Sequence, residues 1–106
     1  MDISINNITG GAVLNITGKI DTLTSPELQE AVMSEIANKP QKLVLDLSAV
    51  NYISSAGLRV LLIAQKSLKP TGGNVILVGA NDSLKEIFNI SGFTALFTFA
   101  DTISDI

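Results

Sequence analysis

Residues 42–69 have the sequence KLVLDLSAVNYISSAGLRVLLIAQKSLK, a short apolar run and a longer one joined by polar residues. The run Lys42–Leu47 is almost continuously apolar, which predicts a strand buried on both faces. Residues Ser48–Ile53 are predicted to be a connection. The pair Ser54-Ser55 then precedes an apolar segment that continues to Lys69 and predicts a helix packed against a sheet.

The residues before this segment predict a β-hairpin followed by a helix. Isoleucines in residues 3–8 alternate loosely with polar side chains, and Gly10-Gly11 then forms a turn into the β-branched run 12–17. Residues Gly18–Asp21 are predicted to leave the sheet. Residues 24–27, Thr-Ser-Pro-Glu, combine a hydroxyl cap, a proline and an acid in the first turn, so they predict a helix start.

The residues after the segment repeat the alternation of strand and helix. Pro70–Gly73 ends the preceding helix, and residues 74–78 predict a second buried strand. Asn81–Ser83 predicts the cap of another helix, and residues 96–99 a final strand. Asp101 is expected to cap a short terminal turn. The order ββαβαβαβ(α) predicts an α/β fold with a largely parallel sheet, to which the opening hairpin adds an antiparallel piece.

The composition argues against several classes of protein. The 106 residues fit one compact domain, and 46% hydrophobic against 16% charged residues argue against disorder. The seven basic residues are scattered and the net charge is −3, so nucleic-acid binding is not expected. The lack of Cys and His removes thiolate and imidazole metal ligands and the usual catalytic nucleophile and base.

The distribution of apolar residues predicts a cytoplasmic protein. No apolar run approaches the ~20 residues that a membrane span needs, so membrane insertion is not expected. The first residues, Met-Asp-Ile-Ser, lack the basic and apolar regions of a signal peptide.

The serine pair at the predicted helix start has two interpretations. A helix N-terminus presents unpaired N–H groups and a partial positive charge, which suit an anion such as a phosphate carried by Ser55. Serine is also a preferred N-cap, and capping alone accounts for a serine at this position. Gly57 in the first turn leaves room for a close approach by another group. These residues by themselves indicate an α/β domain with a candidate anion site.

The motifs along the chain resemble the STAS domain of bacterial anti-sigma-factor antagonists. Members of that family carry a strand ending in Asp-Leu-Ser and then a helix opening with Asp-Ser-Ser/Thr-Gly-Leu-Gly; residues 46–48 and 54–59 are similar. Gly18–Asp21, the Gly72-Gly73 turn and residues 90–93 also resemble family features. The resemblance implies a single domain over residues 1–106 with the STAS (SpoIIAA-like) fold. Such a fold has a mixed sheet of four to five strands, opening with a hairpin and covered by helices.

The resemblance also implies a mechanism. Unphosphorylated family members bind a partner that is both an anti-sigma factor and a serine kinase, which frees the sigma factor; phosphorylation ends the binding, and a phosphatase would restore it. Carried over by position, the phosphorylated serine is Ser55. The residues expected to bind the partner are Asp21, Ser54, Ser55, Ala56, Gly57 and Arg59. No catalytic activity, cofactor or metal ion is implied.

Three residues depart from the family motif. Ser54 replaces the usual aspartate, Ala56 replaces a serine or threonine, and Arg59 replaces a glycine. The loss of the acid beside Ser55 bears on whether a kinase recognises the site. Arg59 is either a solvated helix residue or a group that meets a phosphate or an acidic partner.

Two other functions remain open on the sequence. The chain is alternatively a STAS interaction subunit of another assembly, a lipid-transport ABC complex or a stress-sensing complex, without a phospho-switch. A protein of a different class, a small enzyme or nucleotide-binding protein, would use Asp21, Asp46 and Ser55. The glycine-rich phosphate-binding motifs typical of nucleotide sites are absent from the sequence.

Overall fold

A computed structural model describes all residues, 1–106. Its regular elements form a mixed five-stranded sheet with three α-helices, which confirms the predicted α/β fold. In chain order they are β1 Asp2–Ile8, β2 Gly11–Ile20, α1 Ser25–Ile36, β3 Lys42–Ile53, α2 Ser55–Leu68, β4 Asn74–Val78, α3 Asp82–Ile90 and β5 Thr98–Ala100. Short 3₁₀ turns follow α2, α3 and β5.

The strands lie in the sheet in the same order as in the chain. β1 and β2 form the predicted antiparallel hairpin, and each later strand pairs in parallel with the one before it. The main hydrophobic core joins all three helices to one face of the sheet. A smaller row of apolar side chains lies on the opposite face, without a helix over it: Val13, Val44, Ile76 and Val78. Because β2 and β3 are parallel, their carboxyl ends meet at one end of the sheet, where α1 and α2 begin.

The strands β2 and β3 are longer than the sequence predicted. Gly18–Ile20 stays in the sheet, and Ser48–Ile53 continues β3 instead of forming a connection. Two irregularities in the pairing, one of them beside Gly18 with its φ of +106°, let the ladder continue to the pair Ile20–Ile53. Bulges of this kind interrupt the alternation of apolar and polar residues, so the pattern of Ser48–Ile53 does not predict a strand.

The C-terminal elements also differ from the predicted ones. The last strand begins at Thr98, two residues late, because Leu96 closes a 3₁₀ turn and its carbonyl accepts a hydrogen bond from Gln65 Nε2 at 2.9 Å. The prediction that Asp101 caps the terminal turn is wrong. Thr102 occupies that position in a capping box with Asp105, and the carboxylate of Asp101 lies 3.9 Å from Lys85 Nζ.

Candidate functional site

The two serines at the start of α2 have different environments. Ser54 is the N-cap: its hydroxyl accepts a hydrogen bond from Gly57 N at 3.2 Å, and its own N–H donates to the Ile20 carbonyl at 2.8 Å. Ser55 is the first residue of the helix and is exposed to solvent. Capping is therefore the role of Ser54, and the hydroxyl of Ser55 faces solvent beside it.

The first turn of α2 has the properties of an anion-binding helix end. The backbone N–H of Gly57 is used by the Ser54 hydroxyl and that of Leu58 by the Ser54 carbonyl, whereas the N–H groups of Ser55 and Ala56 have no partner in the protein. No acidic side chain lies in this turn to neutralise the helix dipole. The first turn thus offers two donors and a partial positive charge next to the Ser55 hydroxyl.

Gly57 brings α2 close to the ends of the two longest strands. A Cβ atom at this position would lie 2.6 Å from Ile20 Cγ2 and 2.7 Å from Ile53 Cγ1, distances that require the neighbours to move. Both isoleucines are buried in the main core. Gly57 therefore sets the position of the helix start, and it is itself buried.

The loop between β2 and α1 is closed by hydrogen bonds to Asp21. Asp21 Oδ1 accepts from the N–H groups of Leu23 and Thr24, each at 3.0 Å. The Thr24 hydroxyl accepts from Asp21 N at 2.8 Å and donates to the Lys19 carbonyl at 2.9 Å. The expected capping of α1 by a hydroxyl is therefore wrong, because Thr24 occupies the N-cap position but its side chain closes the loop.

These hydrogen bonds favour the ionised form of Asp21. The bond from the Thr24 backbone, with smaller contributions from the Thr24 hydroxyl, the Leu23 N–H and the charge of Lys19, holds the pKa of the Asp21 carboxyl below its ordinary value. Because the folded-state pKa is depressed, the carboxylate contributes stability above the pKa of the unfolded chain. That contribution is lost as the pH falls through the lower folded-state pKa. The stabilisation of the loop by the Asp21 carboxylate is thus fully present at neutral pH.

We expect the Thr24→Val variant to titrate Asp21 at a higher pH than the wild type does. The substitution removes the hydroxyl that closes the loop, so the carboxylate loses part of its stabilisation and its pKa returns toward the ordinary value. Carboxyl ¹³C NMR during an acid titration measures the midpoint. The control is Thr22→Val, since the Thr22 side chain makes no hydrogen bond to Asp21. Equal midpoints in the Thr24→Val variant and the wild type would contradict this account.

The loop also presents a residue that the sequence reasoning missed. Leu23 lies between Asp21 and Thr24 and is 90% exposed. An apolar side chain inside a short loop otherwise built from Asp and Thr is the signal that would have identified it. The Ser54 N–H bond to Ile20, the residue before Asp21, joins this loop to the start of α2.

The other residues predicted to bind a partner flank Ser55. Ala56 and Arg59 line an open groove of about 350 Å³ between the first turns of α1 and α2. Arg59 is exposed and follows Ser55 by four residues, which places both on one face of the helix. The structure therefore brings the predicted residues together at the carboxyl ends of β2 and β3: Asp21, Ser54, Ser55, Ala56, Gly57 and Arg59.

Asp46 does not join this group. It lies in the middle of β3, seven residues before Ile53, so roughly 20 Å of strand separates it from the start of α2. Its carboxylate accepts hydrogen bonds from the backbone and the hydroxyl of Ser48, at 3.0 and 2.7 Å. The set Asp21, Asp46 and Ser55 that an enzyme or nucleotide site would use is thus not assembled.

No helix has both the length and the hydropathy to cross a membrane. No group of three or more acidic side chains that would hold a metal ion is present.

Comparisons with known proteins agree with the fold and the motifs. The model of the STAS domain family matches residues 2–106. BtrV of Bordetella bronchiseptica, provisionally named an anti-sigma factor antagonist, is 30% identical over 96% of this chain and 88% of its own. The anti-sigma-B factor antagonist of Listeria monocytogenes is 34% identical over 74% of this chain and 69% of its own.

A solved structure gives the same result. The crystal structure of an anti-sigma factor antagonist from Mycobacterium paratuberculosis superposes with a TM-score of 0.89 and is 28% identical, covering 98% of this chain and 88% of the other. The chain therefore belongs to the STAS domain family, among relatives named as anti-sigma factor antagonists.

Proposed function

We propose that the protein is an anti-sigma factor antagonist whose unphosphorylated form binds an anti-sigma factor and thereby frees a sigma factor in the cytoplasm. The names of its relatives support this function. The observation that carries it is the exposed Ser55 hydroxyl at the unneutralised start of α2, beside the capping serine. The residues of the site act by contact, and the proposal gives none of them a catalytic role.

We further propose that Ser55 is a switch: an anti-sigma factor that is also a serine kinase phosphorylates it, and a phosphatase restores the hydroxyl. A phosphate adds roughly −1.5 to −2 charges at neutral pH. The free N–H groups of Ser55 and Ala56 would receive it in place, and Arg59 lies on the same helix face. The protein then needs no refolding to change state, and the new charge acts on the partner.

The departure at Ser54 is compatible with this switch. Aspartate and serine are comparable N-caps, and Ser54 supplies the capping oxygen that the family's aspartate would supply. Replacing the acid with a neutral side chain also removes a negative charge next to the proposed phosphate. Ala56 adds no second hydroxyl, so Ser55 is the one exposed hydroxyl in the first turn.

The partner surface that we propose centres on Leu23 and Ser55. The backbone of Leu23 is held by a loop whose hydrogen bonds converge on Asp21, and its side chain projects into solvent. Ser54 and Gly57 position the helix start, and Ala56 and Arg59 border the groove beside it. A complementary partner would offer an apolar pocket for Leu23 and a donor or acceptor for the Ser55 hydroxyl.

We expect the wild-type protein to release the sigma factor from its complex with the anti-sigma factor, and Leu23→Ser to do so about tenfold to a hundredfold less effectively. Burial of a leucine side chain contributes about 1.5–3 kcal/mol, which this variant loses at the interface. A fluorescence displacement assay with labelled sigma factor measures both effects.

The matched control is Ile90→Ser, because Ile90 is 80% exposed at the far end of α3. Both variants should unfold at the wild-type temperature. Failure of the wild-type protein to release the sigma factor would contradict the proposed function. Equal losses of sigma-factor release in the two variants would contradict the proposed partner surface.

A further inference from the structure

The first strand leaves one row of backbone groups unpaired at the edge of the sheet. The N–H of Lys42 donates to the carbonyl of Gly10 at 3.2 Å, so the even-numbered residues of β2 bond to β3 and the odd-numbered ones to β1. In the register of the hairpin, these odd-numbered residues of β2 lie opposite the even-numbered residues of β1. The N–H and C=O groups of Ile3, Ile5 and Asn7 therefore point away from the sheet.

This edge lacks the features that usually prevent a sheet from pairing with another chain. β1 is seven residues long and contains no lysine and no proline, and Asp2 at its start is its one charged residue. The opposite edge differs, because β5 has three residues and is followed by a 3₁₀ turn. The two edges of the sheet are thus unequal, and β1 is the one open to another strand.

A groove runs alongside the open edge, between β1 and α1. Its apolar side is formed by Ile3 and Ile5 of β1 and Ala31 of α1, and its volume is about 360 Å³. Ile3 packs partly against the main core, whereas Ile5 is 44% exposed. The groove lies on the flank of α1 that faces away from α2, so it is separate from the groove beside Ser55.

The other side of the groove is acidic. Glu27 and Glu30 line it, and α1 contains a third glutamate, Glu35, but no lysine or arginine. The one ion pair of the protein joins Lys85 to Asp101, so these glutamates form no ion pair with a basic side chain. An apolar floor beside unpaired backbone groups and a negative rim favours an extended ligand that carries both apolar and basic side chains.

We propose that the edge of β1 binds an extended segment of another protein that presents both apolar and basic residues on one face. The segment adds a sixth strand by hydrogen bonding to Ile3, Ile5 and Asn7. The side chains of that face, at every second residue, point to the same side of the sheet as Ile3 and Ile5. The apolar ones lie on the groove floor, and the basic ones reach Glu27 and Glu30. A second copy of this chain fits less well, because pairing of β1 with its own copy brings the uncompensated glutamates of two α1 helices together.

This site is independent of the switch at Ser55 and stands on different observations. The test titrates ¹⁵N-labelled protein with the peptide acetyl-VTKTVTK-amide, which carries valine and lysine on one face, and follows amide shifts and hydrogen exchange. We expect saturable shifts in β1 and α1, together with slower exchange at the outward amides of Ile3, Ile5 and Asn7. The control peptides are VKTTVKT, which has the same composition with the lysines on the opposite face, and VTETVTE, which has the opposite charge.

Variants separate the two parts of the proposed recognition. The double variant Glu27→Gln/Glu30→Gln should weaken peptide binding by about threefold to tenfold, the range expected for two exposed charge pairs. Ile5→Lys places a charge in the groove and should abolish binding, whereas Ser4→Lys, on the other face of the same strand, should not.

Three results would overturn the proposal. The first is equal binding of the three peptides, and the second is shifts spread over the surface instead of β1 and α1. The third is protection of the β1 amides that rises with protein concentration in the absence of peptide, which would identify a second copy as the occupant. Each result leaves the function at Ser55 unaffected, because neither site uses a residue of the other.

Discussion

The Ser55→Asp variant is expected to bind the anti-sigma factor at least about a hundredfold more weakly than Ser55→Ala. A partner that contacts a neutral hydroxyl has to desolvate a carboxylate in the variant, and a loss of about 3 kcal/mol corresponds to more than a hundredfold in affinity. Ser55→Ala removes only the hydroxyl and should stay within about tenfold of the wild type, the range of one hydrogen bond. Isothermal titration calorimetry measures the three affinities.

The position of Ser55 separates this effect from a loss of stability. An acid in the first turn of a helix is favourable by about 0.3–1 kcal/mol, and α2 has no acid there. Ser55→Asp should therefore be at least as stable as the wild type in urea unfolding. The matched control is Ser83→Asp, which adds the same charge to an exposed serine in the first turn of α3. This variant should keep the wild-type affinity.

Equal affinities of Ser55→Asp and Ser55→Ala would argue against electrostatic switching. That outcome would favour the alternative in which the protein is an interaction subunit of another assembly and phosphorylation plays no part. Pull-down of an ATPase subunit, instead of a kinase, would then identify the assembly.

The Gly57→Ala variant is expected to lose about 1–3 kcal/mol of unfolding free energy. Its Cβ would lie within 2.7 Å of carbons on both Ile20 and Ile53, which are stiff β-branched residues buried in the core. The helix start has to move away from the strands to relieve this overlap. We also expect weaker binding of the anti-sigma factor, since Ser55 moves with the first turn.

The sign of the Gly57→Ala effect distinguishes contact from helix propensity. Within a helix, alanine is more favourable than glycine by about 0.8–1 kcal/mol, so propensity alone predicts a stabilised variant. Ala56→Gly, at the neighbouring residue, provides the scale for propensity and should destabilise by no more than about 1 kcal/mol. Urea unfolding of both variants gives the comparison. A Gly57→Ala protein more stable than the wild type would show that α2 does not depend on this close approach.

The regular part of the fold is predictable because its patterns are local. The run Lys42–Leu47 and residues 74–78 are mostly apolar, and each lies between clear turn or helix signals, so both appear in the sheet. The start of α2 is equally clear, because two serines precede a long apolar segment that ends before Pro70. In these regions the local preference and the tertiary contacts favour the same structure.

The missed parts depend on contacts that no local pattern contains. Ser48–Ile53 is strand only because bulges in β3 keep it paired with β2, and its buried residues, Val50 and Ile53, do not alternate. Thr24 has the residue type of a helix cap, yet its hydroxyl bonds to Lys19 and Asp21 instead. Residue type alone does not decide between two partners that both lie within reach.

The candidate site is also predictable from the sequence only in part. The sequence locates Ser54 and Ser55 at a helix start, but the division of capping and exposure between them depends on which hydroxyl faces Gly57 N. The role of Gly57 requires knowledge of Ile20 and Ile53, which are distant in the chain. The exposure of Leu23 is not predictable from its residue type, because it depends on the hydrogen-bonded loop that carries it.

The most direct test of the proposed switch is the affinity of the protein phosphorylated by its own kinase. The protein is incubated with the anti-sigma factor and ATP, the modified residue is identified by mass spectrometry, and calorimetry measures both forms against the same partner. We predict one phosphate, on Ser55, and an affinity lowered more than about a hundredfold. A phosphate on another residue, or an unchanged affinity with Ser55 phosphorylated, would contradict the account.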